Sequence, residues 1–123
     1  MRIIILLLLL IPSYANAEYR FAENWTREDT ARQASFIIVT TADWLQTRCI
    51  AKHPDSWREL NPIIGSHPSV DKVDAYFATA IAAHTLIAVA LPAEYRKWWQ
   101  YTWISLESAT VVWNMSAGVK WEF

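Results

Sequence analysis

Apolar residues along this chain form one short run near its start and three longer segments after it. The longer segments cover about residues 30–51, 69–91 and 93–119, and each is long enough to form a helix. Prolines and a glycine interrupt the stretch between the first two segments, and Pro92 separates the second from the third. The pattern therefore predicts a single helical domain over residues 18–123.

The first apolar run has the three parts of a secretory signal peptide. Arg2 supplies a positive charge, residues 3–11 are apolar, and residues 15–17, Ala-Asn-Ala, match the small-x-small pattern of a cleavage site. A permanent anchor needs about 20 apolar residues to cross the hydrocarbon core of a bilayer, which is more than this run provides. Residues 1–17 are therefore predicted to be a cleaved signal peptide, which places the mature N-terminus outside the cytoplasm.

The three longer segments differ in how well they suit a membrane. The second is the strongest candidate, because residues 76–91 contain no formally charged residue. His84 is the only side chain among them that can gain a charge near neutral pH. The third carries a single charge in its apolar span, Glu107, and opens on aromatic and basic residues typical of a membrane interface. The first is weaker, because Asp43 near its centre costs about 3 kcal/mol on insertion scales. We expect an all-α fold, a small antiparallel bundle of three transmembrane helices after an N-terminal signal peptide.

Composition narrows the class of protein further. The chain is 54% hydrophobic and tryptophan-rich, with eight Trp and only two Gly, which argues against disorder and against a turn-rich β sandwich. Its net charge of −1, without a long run of one sign, excludes nucleic acid as an expected partner. Cys49 is the single cysteine and cannot form an intramolecular disulfide. The expected partner is the lipid bilayer of the bacterial inner membrane, with other membrane proteins as further candidates.

Polar side chains recur on one face of each predicted helix. In the third helix three of them are spaced seven apart, which is close to two turns, and the first helix carries a similar stripe. Polar groups in membrane segments normally face the bundle interior, where each can find a partner. The predicted cluster consists of Thr40, Asp43, Thr47, His84, Gln100, Glu107 and Asn114.

Two interpretations of this cluster stay open. Asp43, Glu107 and His84 together could bind a divalent metal, relay a proton or hold a polar ligand. Alternatively, the same groups hydrogen-bond across helices and hold the packing. No metal-binding or catalytic motif accompanies them, so the sequence favours a structural or accessory role without a cofactor. A membrane-embedded enzyme or an ion- or proton-handling protein is the alternative.

The loop between the first two helices has its own polar motif. Its residues Asn61, Pro62, Gly65 and His67 suit a functional loop, but they are also the residues that a tight turn requires. Ahead of it, residues 43–47 are Asp-Trp-Leu-Gln-Thr. With these two motifs the chain resembles small uncharacterised bacterial and phage-borne integral membrane proteins that pair an Asp/Thr-bearing first helix with an N-P-x-x-G loop. The resemblance implies an inner-membrane protein and gives no reaction.

Two further expectations concern packing and location. Ala75, Thr79 and Ala83 form a small-xxx-small face that predicts close helix approach within the bundle. The short connection after the second helix predicts that the second and third helices are antiparallel neighbours. The mean hydropathy of +0.09 is low for a protein that crosses a membrane several times, so a soluble periplasmic helical domain is a third hypothesis.

Overall fold

The computed structural model describes residues 21–123, which form three helices. They are α1 (Arg27–Lys52), α2 (Val70–Ala90) and α3 (Ala93–Ser116), and the described residues contain no strand. The expected all-helical fold with three helices packed together is confirmed. The predicted signal peptide, residues 1–17, lies outside the described residues.

α1 and α2 begin where side chains satisfy their first backbone N–H groups. α1 begins earlier than the apolar pattern predicts, because Thr26 and Asp29 form a capping box. The Thr26 hydroxyl accepts from the Asp29 N–H at 3.1 Å, and the Asp29 carboxylate accepts from the Thr26 N–H at 2.9 Å. α2 begins after Ser69, as predicted, with the Ser69 hydroxyl accepting from the Lys72 N–H. Local side chains thus set both starts.

α1 lies between the other two helices and provides most of their contacts. Asp29 of α1 pairs with Arg96 of α3, and further along Asp43 accepts a hydrogen bond from Asn114, so α1 and α3 run parallel. α2 runs opposite to both. α2 and α3 are antiparallel across their short connection, as predicted, but they contact each other far less than each contacts α1. The interior of the protein is therefore built mainly from α1 side chains.

The interior contains as many buried polar residues as buried apolar ones. The buried apolar residues are Phe36, Cys49, Ile50, Ile64, Val73, Phe77, Ala88, Val111 and Val119. The buried polar residues are Asp29, Gln33, Thr40, Asp43, Gln46, Thr47, His84, Arg96 and Gln100. Large apolar side chains meanwhile lie on the outside of α1, α2 and α3, among them Ile38, Leu86, Trp98, Leu106 and Trp113. The interior is therefore half polar, while large apolar side chains lie on the outside of all three helices.

α2 is the most exposed of the apolar segments. Within the part of the chain that is described, Val70–Ala90 is the one helix long and apolar enough to cross a membrane, judged by length and composition. Only 22% of its most apolar stretch is buried in the bundle. The small residues Ala75, Thr79 and Ala83 are all exposed, so the expectation that they pack inside the bundle is wrong. Their face points away from α1.

Candidate functional site

The predicted polar residues do not form one cluster but separate into two along α1. We call the group toward the end of α1 the carboxyl cluster, and the group toward its start the arginine cluster. The carboxyl cluster contains Thr40, Asp43, Gln46, Thr47, Glu107 and Asn114. The arginine cluster contains Asp29, Arg32, Gln33, His84, Arg96 and Gln100.

A pair of carboxyl groups lies at the centre of the carboxyl cluster. Asp43 of α1 is 8% exposed and lies close enough to Glu107 of α3 for the two carboxyl groups to interact. Two buried negative charges repel each other, so such a pair favours the neutral form of one carboxyl. The pair is therefore the candidate proton-binding position of this cluster.

Amide and hydroxyl groups surround the carboxyl pair. Asn114 Nδ2 donates to Asp43 Oδ1 at 3.3 Å and to Gln46 Oε1 at 3.2 Å. Gln46 Nε2 donates across to the backbone carbonyl of Val111 at 3.3 Å, and the Thr47 hydroxyl donates to Asp43 Oδ1 at 3.5 Å. The structure thus brings together Asp43, Thr47, Glu107 and Asn114, as the helix periodicity predicts.

Two buried oxygens on the helices of this cluster have no hydrogen-bond partner. They are Thr40 Oγ1, on a side chain that is 1% exposed, and Glu107 Oε2. Thr40 lies three residues before Asp43, which places both on one face of α1. Buried polar atoms in folded proteins are nearly always hydrogen-bonded, so each exception calls for an explanation. These oxygens retain the capacity to accept a donor or to contact a cation.

The loop between α1 and α2 packs against α2 through one apolar residue, Ile64. Ile64 is buried with Val73 and Phe77 of α2, and Tyr76 packs against the same group. Asn61 Oδ1 accepts from the Ile63 N–H at 3.0 Å, a local bond typical of a turn. Asn61 therefore shapes the loop, while Ile64 holds it against α2.

The other loop residues have local roles. Gly65 has a φ of +83°, a left-handed conformation that a residue with a side chain rarely adopts. Pro62 and His67 are exposed. The backbone N–H groups of Leu60 and Asn61 donate to Glu59 Oε1 at 2.9 and 2.8 Å. The turn interpretation of this motif fits all of these contacts.

Arg96 organises the arginine cluster. Its side chain is fully buried, and Nη1 donates to Asp29 Oδ2 at 3.2 Å. Its other donors go to the backbone carbonyl oxygens of Ala88, Leu91 and Glu23, each at 2.8 to 2.9 Å. The guanidinium thereby joins α1, the end of α2 and the segment before α1 at a single point.

Gln100 and His84 belong to the arginine cluster and not to the carboxyl pair. Gln100 Nε2 donates to Gln33 Oε1 at 3.2 Å, and Gln33 Nε2 lies 3.2 Å from His84 Nδ1. The His84 ring stacks on Phe36 with centroids 3.5 Å apart and on Trp99 at 5.2 Å. Its Nε2 atom is buried without a partner. The suggested metal set of Asp43, His84 and Glu107 is not brought together.

Cys49, His53 and Glu122 form a third group, which the sequence did not single out. Among the described residues it is the one set of His, Cys, Asp and Glu side chains whose ligand atoms converge, all within 4.8 Å of one another. Lys52 Nζ lies 3.0 Å from Glu122 Oε2. This hydrogen bond holds the pKa of the Glu122 carboxyl below its ordinary value. The spacing of Cys49 and His53, four residues apart near a helix end, is the signal that could have been recognised.

Sequence reasoning also missed the buried residues of the arginine cluster, apart from His84 and Gln100. Arg96 sits among aromatic and basic residues, so the pattern favours an interfacial position for it rather than a buried one. Gln33 precedes Thr40 by seven residues and Arg96 precedes Gln100 by four, so both continue the predicted polar stripes toward the helix starts. Extending the stripes would have found them.

Comparison of the chain with protein-family models, with curated proteins and with solved structures finds no significant match. The distribution of polarity in the bundle and the geometry of its clusters are therefore the basis for the functional proposal.

Proposed function

We propose that this chain is a small integral membrane protein of the bacterial inner membrane, with its mature N-terminus outside the cytoplasm and a structural or accessory role. The observation that carries this proposal is a half-polar interior combined with large exposed apolar side chains on all three helices. A helix bundle in water buries its apolar faces against one another. In lipid, polar side chains turn to the bundle interior and apolar ones face the acyl chains.

Helix length supports a spanning arrangement for all three helices. α1, α2 and α3 contain 26, 21 and 24 residues. At 1.5 Å per residue they measure about 39, 31 and 36 Å, against a hydrocarbon core of about 30 Å. α1 and α3 are less apolar than α2 because they carry most of the buried polar residues, and those residues need not contact lipid. Low overall hydropathy is thus compatible with a membrane location.

The experiment is extraction of the full chain from bacterial membranes. We expect the protein to remain in the membrane pellet after an alkaline carbonate wash and to need detergent for release. The control is a peripheral membrane protein, which the wash releases. Recovery of the mature chain as a stable monomer in aqueous buffer would overturn the proposal and favour the soluble periplasmic helical domain.

A second candidate function is ion or proton handling at the carboxyl cluster. It is favoured by a specific observation, the neighbouring carboxyl groups of Asp43 and Glu107 with unpartnered buried oxygens on Thr40 and Glu107. Ionisable groups inside a membrane segment commonly mark a proton or ion pathway. If the cluster served only packing, there would be no reason to leave the oxygens of Thr40 and Glu107 without hydrogen-bond partners. The proton on the pair would move between Asp43 and Glu107, with Asn114 holding Asp43 in position.

This candidate is tested with purified protein in vesicles that enclose a pH-sensitive dye. A proton-handling site predicts that wild-type vesicles dissipate an imposed pH gradient faster than vesicles with Glu107→Gln or Asp43→Asn. Glu94→Gln, an exposed acid in the first turn of α3, is the matched control and should behave as the wild type. Equal rates in all samples would leave the cluster with a packing role only.

A further inference from the structure

We propose that Cys49, His53 and Glu122 bind a divalent transition-metal ion, with Zn²⁺ the best match, at the end of α1. The three side chains supply one sulfur, one nitrogen and one oxygen ligand. Zn²⁺ is the common metal for mixed thiolate, imidazole and carboxylate sites. The site is separate from both polar clusters, and its existence does not depend on the chain crossing a membrane.

The distances between ligand atoms are close to those of a metal site. His53 Nδ1 lies 3.8 Å from Cys49 Sγ and 3.9 Å from Glu122 Oε1. Tetrahedral Zn²⁺, with bonds of about 2.3 Å to sulfur and 2.0 to 2.1 Å to nitrogen and oxygen, places its ligands roughly 3.4 to 3.6 Å apart. Cys49 Sγ and the Glu122 carboxylate lie within 4.8 Å of each other, so rotations of the side chains must close a few tenths of an ångström at His53 and up to about 1.3 Å between Cys49 and Glu122. The group is thus nearly formed before any metal arrives.

Two features of the fold bring these ligands together. Cys49 lies one turn before the end of α1 and His53 is the residue that caps it, so both project from one face of the helix end. Glu122 comes from the segment after α3, which is fixed by a backbone hydrogen bond from the Glu122 N–H to the Leu45 carbonyl at 3.1 Å. A metal would therefore join the end of α1 to the C-terminal segment.

Lys52 orients the carboxylate for this role. Its ammonium contacts Glu122 Oε2 at 3.0 Å and leaves Oε1 directed toward His53. Partners of this kind, which hold a ligand without touching the metal, commonly raise metal affinity by 10-fold to 100-fold. Lys52 and Glu122 therefore resemble a metal ligand with the hydrogen-bond donor that orients it, and not an isolated surface ion pair.

Protons must leave or move when the metal binds. The Cys49 thiol loses its proton to solvent, because the thiolate is the ligand. His53 Nδ1 now lies 2.8 Å from the Cys49 carbonyl oxygen, a contact in which it donates. Coordination through Nδ1 exchanges that hydrogen bond for a metal bond and leaves the ring proton on Nε2. His53 is about half exposed, so solvent can carry the proton between the two nitrogens. A fourth position at the metal is left for water.

The experiment is titration of the purified, tag-free full chain with Co²⁺ followed by Zn²⁺. Co²⁺ bound to a thiolate has a charge-transfer absorption band in the near ultraviolet, and Zn²⁺ should remove it by displacement. We expect one ion per chain, and affinity at least 10-fold lower in Cys49→Ser, His53→Ala and Glu122→Gln. Lys52→Gln should weaken binding by about 10-fold. His67→Ala and Glu94→Gln, both at exposed positions outside the group, are matched controls.

A second measurement needs no substitution, because Cys49 is the only cysteine. Zn²⁺ should slow its alkylation by a thiol reagent, and a chelator should restore the original rate. Absence of a thiolate band in the wild-type protein, or alkylation that Zn²⁺ does not change, would overturn the proposal. So would equal Co²⁺ affinity in Cys49→Ser and wild type.

Discussion

Arg96 and Asp29 form an ion pair between α3 and α1 in which neither side chain reaches solvent. Nη1 and Oδ2 lie 3.2 Å apart, and the two side chains are 0% and 3% exposed. Asp29 also accepts from the Thr26 N–H and from Arg32. A buried pair of charges costs desolvation and is stable only when its other hydrogen-bonding groups are satisfied, as they are here. Its position, between the starts of the two parallel helices, makes it a clamp at one end of the bundle.

Replacing Arg96 by Met should destabilise the protein strongly. The substitution removes one of the two arginines that contact buried Asp29 and leaves the carbonyl oxygens of Ala88, Leu91 and Glu23 without this donor, and breaking one side of a buried ion pair costs about 3–5 kcal/mol. Lys97→Met is the matched control, because Lys97 follows Arg96 directly in α3 but its side chain is exposed. The measurement is the free energy of unfolding in detergent, followed by loss of helicity as denaturant is added. The double variant Asp29→Asn with Arg96→Met should recover part of the loss, and no recovery would contradict this assignment.

Asn114→Ala should weaken the contact between α1 and α3. The change removes the donor to Asp43 Oδ1 and Gln46 Oε1, and hydrogen bonds between membrane helices average about 0.6 kcal/mol with a maximum near 1.7. We expect a loss of about 1–2 kcal/mol in unfolding free energy for the two bonds together. Thr110→Ala is the control, since its hydroxyl bonds only within α3. Equal stability of the two variants would mean that Asn114 does not link the helices.

A lysine in the middle of α2 separates a lipid environment from water. Ala82 is exposed near the centre of the helix, and a central Lys costs about 3 kcal/mol on insertion scales. In water the same surface change would alter stability by no more than about 0.5 kcal/mol. We therefore expect Ala82→Lys to lower the membrane-inserted fraction, measured by carbonate pelleting. Asp71→Lys, at the exposed start of α2, should insert normally. Normal insertion of both would count against lipid contact by this face.

The cost of replacing Gly65 in the loop should depend on the backbone conformation at that position and not on the space around it. Gly65 has a φ of +83°, and a Cβ added there would meet nothing within 4 Å. Gly65→Val should therefore cost about 1–2 kcal/mol from the left-handed conformation alone, while Gly65→Asn should cost less. Unfolding free energies of the two variants, with Ser66→Ala beside them, test this. A larger loss for Asn than for Val would show that some other contact governs the position.

Helix number and several boundaries could be predicted from the sequence, because they depend on residues close together in the chain. Ser69 starts α2 through its own hydroxyl, and Pro92 interrupts the helices between α2 and α3. The polar stripes on α1 and α3 were also predicted, since a period of seven keeps side chains on one helix face. Even where the prediction of the start of α1 was wrong, Thr26 and Asp29 form a local signal that accounts for the true start.

Only the tertiary structure decided which polar groups meet. Periodicity predicts only that Asp43 and His84 each face the interior of the bundle. The rotation of the helices and their displacement along the bundle axis place Asp43 beside Glu107 and His84 beside Gln33. The same rotation left Ala75, Thr79 and Ala83 on the outside. Glu122 reaches the end of α1 through a backbone bond between segments far apart in the chain. Local order follows from neighbouring residues, whereas partners across the bundle follow from how all three helices pack at once.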